Sequence, residues 1–459
     1  MFMDEHELLR LKPELDQFLD RFAPLFGREE NAVHARRFVQ GLLRGGERRN
    51  AENIAEAMDG GPVRTLQAFI TTGAWSDRPV LTNMGSVLVD ALGDPDAVVN
   101  ADETGFPKKG TQSVGVKRQY SGTLGRTDNC QIGVFINYAS SRGHGLLDRR
   151  LYVPEEWAED GPRRDRAQVP AGVVFRTKPE LALEMVQEAV TARVPFRWVG
   201  GDGVYGDNTT FVRGVRGLDK WYVLDTACDT QVWTTRPEVI PADQRPKPPK
   251  GRRPTKPLVV GPRHRIDQVF AQLPGTAWRR VVVGEGSKGP RVYEYAEVTA
   301  WFCEDDLPGP PERVLARRSI GQEPDIKYHR SNAPASVGLE KLAQVRGMRW
   351  TIEEDFQTGK GECGLDEYET RGWVGWHHHT ALSMLALAFL VRQKHRLGEK
   401  RAPDDGPRSP GPARAPTGGA QMGHGRDPPV VPMATRAEPP GGREPPQTAA
   451  RGRVTQTAE

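Results

Sequence analysis

Residues 97–102, Ala97-Val98-Val99-Asn100-Ala101-Asp102, form a short apolar run that closes on a carboxylate. Residues 196–202, Phe-Arg-Trp-Val-Gly-Gly-Asp, repeat that pattern further along the chain. Both read as β-strands ending at an Asp. Between them lie residues 131–138 (QIGVFINY), a second β-type run, and residues 146–153, which alternate. Residues 179–193 then carry a helical period through Leu181, Met185, Val186, Ala189 and Val190. A short helix and the strand of residues 220–225 (KWYVLD) complete the series. The order β-β-β-α-β-α-β predicts an α/β fold, a mixed sheet flanked by helices. Side chains at the carboxyl ends of neighbouring strands converge above such a sheet, so Asp102 and Asp202 are expected to meet.

Outward from this core the pattern changes on both sides. Residues 6–92 read as helices, with Leu8, Leu15, Phe18, Leu19 and Phe22 at helical spacing and Arg36, Arg37 and Arg44 along one of them. Residues 229–335 open with a Pro/Lys/Arg-rich stretch (241–262) and continue as strands. Residues 336–360 are helical again, and residues 373–395 form a strongly apolar helix. The expected organisation is a helical, DNA-binding domain (1–95), a first part of the core (96–228), a β-rich insertion (229–335), the core's C-terminal helices (336–396) and a tail (397–459). In its last 59 residues the tail has 12 Pro and 9 Gly, and no Phe, Trp, Tyr, Leu or Ile. Too little apolar surface is present there to offset ordering entropy, which predicts disorder.

Composition narrows the class. Of 459 residues, 37% are hydrophobic, and the formal net charge is only +4. A polyanionic partner must therefore be held by local patches. Cys130, Cys228, Cys303 and Cys363 are far apart with no CxxC, which predicts reduced thiols in a cytoplasmic protein. No signal-type apolar core follows Met1, and the longest apolar run, 381–391, is too short for a bilayer. No membrane partner is expected.

The candidate chemistry lies in Asp102, Asp202 and Glu353. At about 100° per residue, Arg349, Glu353 and Lys360 project from one stripe of a helix. Three carboxylates suit Mg²⁺, a hard cation that takes oxygen ligands and keeps several waters. Two such ions about 4 Å apart activate an attacking oxygen and stabilise the leaving one in an in-line displacement. The plain alternative is an Arg349–Glu353 surface ion pair. A basic, glycine-bearing loop holds Lys108, Lys109, Lys117, Arg118 and Tyr120, which either meet DNA phosphates or form a solvated hairpin tip. Residues 201–206 (GDGVYG) fit GxGxxG, and Asp225 follows as a ribose acid, so a dinucleotide site is the competing motif reading. Tyr205 is bulky for it. His377, His378 and His379 point in different directions on a helix and read as polar anchors or phosphate contacts.

Several segments carry a resemblance: DETGFPKKGTQSVGVKRQYSG, NCQIGVFINYAS, RRLYVPEEWAED, GDGVYG, RWTIEEDFQTGKGECGLDEYETRGW and WHHHTALSMLALAFL. In these the chain resembles DDE-superfamily insertion-sequence transposases of the insertion sequence 701 family, over roughly residues 15–395. The resemblance implies a ribonuclease H-like catalytic domain with Asp102, Asp202 and Glu353 as triad and metal ligands, holding two Mg²⁺ for which Mn²⁺ substitutes. Arg349 and Lys360 match the basic positions of the family's last helix. It further implies terminal inverted repeats and target DNA as partners, a dimer in the synaptic complex, and a bacterial, nucleoid-associated location. Three positions depart from the family: Arg346 stands for Tyr, Gly203 for Glu and His378 for Arg. These departures leave a catalytically dead, DNA-binding descendant as the alternative.

Overall fold

The computed structural model describes residues 5–44, 48–58, 62–246, 252–286, 289–321 and 324–399. The expected disordered tail lies, from residue 400 on, outside the described residues.

The five strands read from the sequence form the centre of the sheet. Each is given with its observed bounds: β1 (Val98–Pro107), β2 (Lys117–Ser121), β3 (Arg126–Ser140), β4 (Gly143–Tyr152), β5 (Trp198–Gly201) and β6 (Trp221–Thr226). Only β2 is additional; it pairs with the first half of β3 and turns the basic loop into a hairpin. The lateral order is β4-β3-β1-β5-β6. β1, β3 and β4 are antiparallel, whereas β5 and β6 run parallel to β1 and to each other. This is the ribonuclease H-like mixed sheet. Its parallel half requires crossovers, supplied by the helices Lys178–Thr191 and Thr209–Gly217. The first of these starts on a capping box: Thr177 Oγ1 accepts from the Glu180 N–H, and the Glu180 carboxylate accepts from the Thr177 N–H.

The insertion continues the same sheet. Ile326–Ser331 pairs antiparallel with β6, Leu307–Arg318 pairs with that strand, and Gly289–Glu304 follows. Gln231–Trp233 and Arg279–Gly286 then pair with Gly289–Glu304. Among the described residues one sheet of 12 strands results, with a separate ribbon made by Glu238–Ile240 and Leu258–Val260.

The N-terminal helices pack on the core. Phe18, Phe38, Phe69, Leu81 and Leu88 share one buried cluster with β3, β4 and the final helix, Trp373–Glu399. The rings of Phe18 and Phe389 lie 5.5 Å apart. Fully buried Arg149 adds a polar lock, donating to Asp77 at 2.7 Å, to the His377 carbonyl at 2.7 Å and to Thr380 Oγ1 at 3.0 Å. The arginines of Glu29–Arg44 also look inward: Arg36 pairs with Asp16 and Asp20, Arg37 donates to the carbonyls of Ala55 and Met58, and Arg44 to that of Ala57. The four cysteines are free thiols. Among the described residues no helix is long and apolar enough to cross a membrane.

Candidate active site

Register brings the first two carboxylates together. Ala101 of β1 lies opposite Gly201 of β5 in a parallel pair, so Asp102 and Asp202 occupy the next positions on adjacent chains. Asp202 leaves the strand and caps a single turn, its Oδ1 accepting the Val204 N–H at 2.9 Å. Glu353 arrives on the helix Trp350–Cys363. Arg349, at the junction of that helix with Leu339–Met348, joins the groups. Its Nη1 donates to Asp102 Oδ2 at 3.0 Å and its Nη2 to Glu353 Oε1 at 2.8 Å. A guanidinium fork thus stands between two of the three carboxylates.

The electrostatics follow from this packing. Burial, and next the charge of Asp202, push the Asp102 carboxyl up to about 7 against the pull of Arg349. Burial and Glu103 push Asp202 up to about 6. Asp202 raises Asp102, and Glu103 raises Asp202, so this half-buried group of acids has more negative than positive charge. The donor set is entirely carboxylate oxygen, the chemistry a hard divalent cation requires. Asp102 and Asp202 therefore fit such an ion. The convergence expected of all three carboxylates is not complete: among the described residues no group of three or more His, Cys, Asp or Glu side chains forms a ready cation cage. The reason is Arg349, which holds Glu353 to itself.

A second layer was invisible in the sequence. Asp225, on β6, receives Arg346 Nε at 2.8 Å and His329 Nδ1 at 2.9 Å, with Arg349 Nε at 3.8 Å. Burial opposes its charge, but His329, Arg346 and Arg349 outweigh burial and hold its carboxyl well below the usual range. Burial drives His329 down to about 4, so at neutral pH it is an uncharged donor and the two guanidiniums supply the charge. Arg346, which departs from the family's Tyr, is thereby a half-buried partner that holds Asp225 beside Arg349. Glu103 receives Lys178 at 2.6 Å and the Tyr205 hydroxyl at 2.9 Å.

Behind the carboxylates a polar chain clamps the Glu353 helix to the sheet. Asn100 donates to Asn137 at 2.9 Å, and Asn137 donates to Thr351 at 2.9 Å and Asp355 at 2.8 Å. Asp355 in turn meets His144 at 2.8 Å. Two Asn inside apolar strand runs were the available signal, because a buried amide must find partners.

The remaining predicted residues divide. Lys360 lies against β1, donating to the Gly105 carbonyl at 3.3 Å and Thr123 Oγ1 at 3.1 Å. Lys108 is turned inward over the Tyr368 ring, 3.4 Å from its centroid, and burial lowers it to about 8. Lys117 pairs with Glu156 at 2.7 Å. Lys109, Arg118 and Tyr120 face solvent, the last two on one side of β2. His378 and His379 are buried and His377 is half-buried: His378 stacks on Trp75 at 3.7 Å and sits 2.9 Å from the carbonyls of Ile70 and Trp75.

The glycines of 201–206 serve packing. A Cβ on Gly206 would lie 1.9 Å from the Asp225 carbonyl oxygen, so β6 requires glycine there. Tyr205 is fully buried and Asp225 is committed to its cations, which leaves no ribose acid for a dinucleotide.

The model of the DDE superfamily endonuclease family covers residues 21–290, and the chain belongs to that family. It is 28% identical over 179 residues to a probable transposase for insertion sequence element IS701 from Microchaete diplosiphon. That match takes in 39% of this chain and 44% of the relative, under half the relative's length. Among solved structures, the piggyBac transposase synaptic complex with hairpin DNA is similar over 81% of this chain and 67% of its own, at 12% identity and a TM-score of 0.37.

Proposed function

We propose that the chain is a DNA transposase that cuts the ends of an insertion sequence and joins the freed 3′-hydroxyl to target DNA. The observation that carries this reading is the pair Asp102 and Asp202, half-buried at adjacent strand ends and each raised by a neighbouring acid. Asp102 and Asp202, with Glu353 completing the set, would hold Mg²⁺ or Mn²⁺. Divalent ions bound there supply Lewis-acid activation of the attacking oxygen and charge for the leaving one.

The protein's own groups do the rest. Asp102 and Asp202 are fixed by β1 and β5, whose pairing sets their separation before any substrate arrives. Arg349 holds Asp102 and Glu353 in the free protein, and its fork is suited to transfer to a phosphate oxygen, which releases Glu353. Asp225 and Arg346 keep the guanidinium from leaving the site altogether. Lys360 braces the later part of β1, and Lys109, Arg118 and Tyr120 offer charge and a ring to flanking DNA. Cleavage and joining are both in-line phosphoryl displacements, so one site serves both. Two DNA ends held together call for a dimer in the synaptic complex.

The test is cleavage of a duplex carrying the element's terminal inverted repeat, with Mg²⁺ or with EDTA, using Asp202→Asn as control. The wild type is expected to produce 3′-hydroxyl ends only with the cation, and the variant none. Tight DNA binding with no more cutting than the variant would replace this reading by that of a catalytically dead DNA-binding descendant.

A further inference from the structure

Glu353 opens a run of three acids, Glu353-Glu354-Asp355, on the helix Trp350–Cys363. Successive side chains diverge by about 100° around a helix, so the three meet different surroundings. Glu353 turns to Arg349, Glu354 is exposed, and Asp355 is buried against the sheet. A buried carboxylate needs donors and a cation. His144, the second residue of β4, supplies both. Its Nδ1 meets Asp355 Oδ1 at 2.8 Å and its Nε2 meets Glu354 Oε2 at 3.1 Å. An ionised carboxylate only accepts, so a ring facing one at each nitrogen carries a hydrogen on both and is an imidazolium. Burial opposes that charge, but the bond to Asp355 and the charges of Asp355 and Glu354 outweigh burial and raise the ring above its ordinary pKa. Lys394, on the final helix, works against them.

The sheet dictates where this ring stands. Asn100 lies opposite Asn137 in the pairing of β1 with β3, and His144 lies opposite Ala139 in that of β3 with β4. Side chains alternate along a strand, so Asn100, Asn137 and His144 share one face, and so does Asp102, two residues past Asn100. Asn137 Nδ2 donates to Thr351 Oγ1 at 2.9 Å and to Asp355 Oδ2 at 2.8 Å, two points one turn apart on the helix. Those two points fix the height of the helix along its axis. His144 adds Glu354, about 100° around the helix from Asp355, and thereby fixes its rotation.

Rotation is the movement that Glu353 tolerates least. Helix side chains reach about 5–6 Å from the axis, so a rotation of about 20° swings a carboxylate by roughly 2 Å. A working site holds its groups within about 0.5 Å, and Mg²⁺ is strict about ligand geometry. Arg349 restrains Glu353 in the free protein. In the proposed function that restraint passes to a phosphate. The bonds from Asn137 and His144 use no group of the carboxylate site and stay in place.

We infer that His144 is a positioning residue for Glu353: by bracing Glu354 and Asp355 it sets the rotation of the helix, and with it the affinity of the carboxylates for a divalent cation. The inference rests on the proposed function for the role of Glu353 as a ligand.

The experiment uses the full chain without DNA at neutral pH, with Mn²⁺ as the probe and the electron paramagnetic resonance signal of the free ion as the readout. Asp202→Asn is expected to remove the tightest binding and so to locate it. His144→Gln is expected to weaken that binding about 10-fold, as removal of a group that orients a metal ligand does. Glu353→Gln weakens it as well. Adding His144→Gln to Glu353→Gln should then cost less than about twofold, because no ligand is left on the helix to position. General loosening of the fold would not depend on Glu353 in this way. Leu66→Ala, a core truncation in the N-terminal helix Val63–Thr71, destabilises the chain and should bind Mn²⁺ as the wild type does. Thr351→Val removes the neighbouring bond on Asn137 with little change of shape, and is expected to weaken binding about threefold; it decides the matter if His144→Gln does not fold. Wild-type affinity in whichever of these two variants folds, or a full 10-fold loss on adding His144→Gln to Glu353→Gln, overturns the inference and leaves the metal site standing. Mn²⁺ binding indifferent to both Asp202→Asn and Glu353→Gln overturns the proposed metal site, and this inference with it.

Discussion

Replacing Asp202 by Asn removes a half-buried charge and keeps the group that caps the following turn. Asn serves at an N-cap about as well as Asp, so the bond to the Val204 N–H survives. The folded carboxyl is raised from 3.8 to about 6, by burial first and by Glu103 next. In the unfolded chain it returns to its ordinary value. The folded state thus binds more protons between those two values, and stability falls as pH rises through that window. Below about pH 4 the penalty is absent; above about pH 6 it is complete. A displacement of roughly two pH units, at about 1.4 kcal/mol each, gives about 3 kcal/mol. Partial access of water reduces this to about 2 kcal/mol. Urea denaturation at pH 8 without divalent cations should therefore find Asp202→Asn more stable than wild type by about 2 kcal/mol. At pH 4 the difference should shrink to a few tenths. A variant that is no more stable at pH 8, or equally favoured at both pH values, would refute the idea that this carboxylate is held against its electrostatic preference.

Other substitutions probe the surroundings. Arg349→Ala leaves half-buried Asp102 without its cation and should lower stability by about 3 kcal/mol at pH 8, and by less at pH 5, where Asp102 takes up a proton; equal losses at both would argue against the ion pair. Gly206→Ala drives a methyl into the Asp225 carbonyl and should cost more than about 3 kcal/mol. Gly203→Ala, whose nearest neighbour is 3.5 Å away, should stay within about 1 kcal/mol in the same urea titration. His378→Arg restores the family's residue but buries a guanidinium against Trp75, so it should destabilise by about 3 kcal/mol with no gain in DNA affinity measured by anisotropy.

Much of the core was legible because its strands are apolar runs with distinct endings. Ala97 to Asp102 and Phe196 to Asp202 announced both a strand and its terminal carboxylate, and the period through Leu181, Met185, Val186 and Ala189 announced the crossover helix between them. β2 escaped because Lys117, Arg118 and Gln119 carry no strand signature; pairing with β3 alone makes them one. The direction of the basic side chains escaped for a related reason. Lys108 reads as a phosphate ligand, but the Tyr368 ring that takes it lies far along the chain. His378 reads as a polar anchor or a phosphate contact at a helix start, and Trp75 closes over it.

The amino-acid string by itself determined the apolar strands and the periodic helices of the core, and that acidic groups end two of those strands. Local periodicity and turn chemistry act over a few residues and need no partner to be read. The tertiary structure alone decided which charges are spent. It gave Arg349 to Asp102 and Glu353 together, and set Asp225 as an internal counter-charge. Ion pairing depends on distances between residues far apart in sequence, and folding creates those distances.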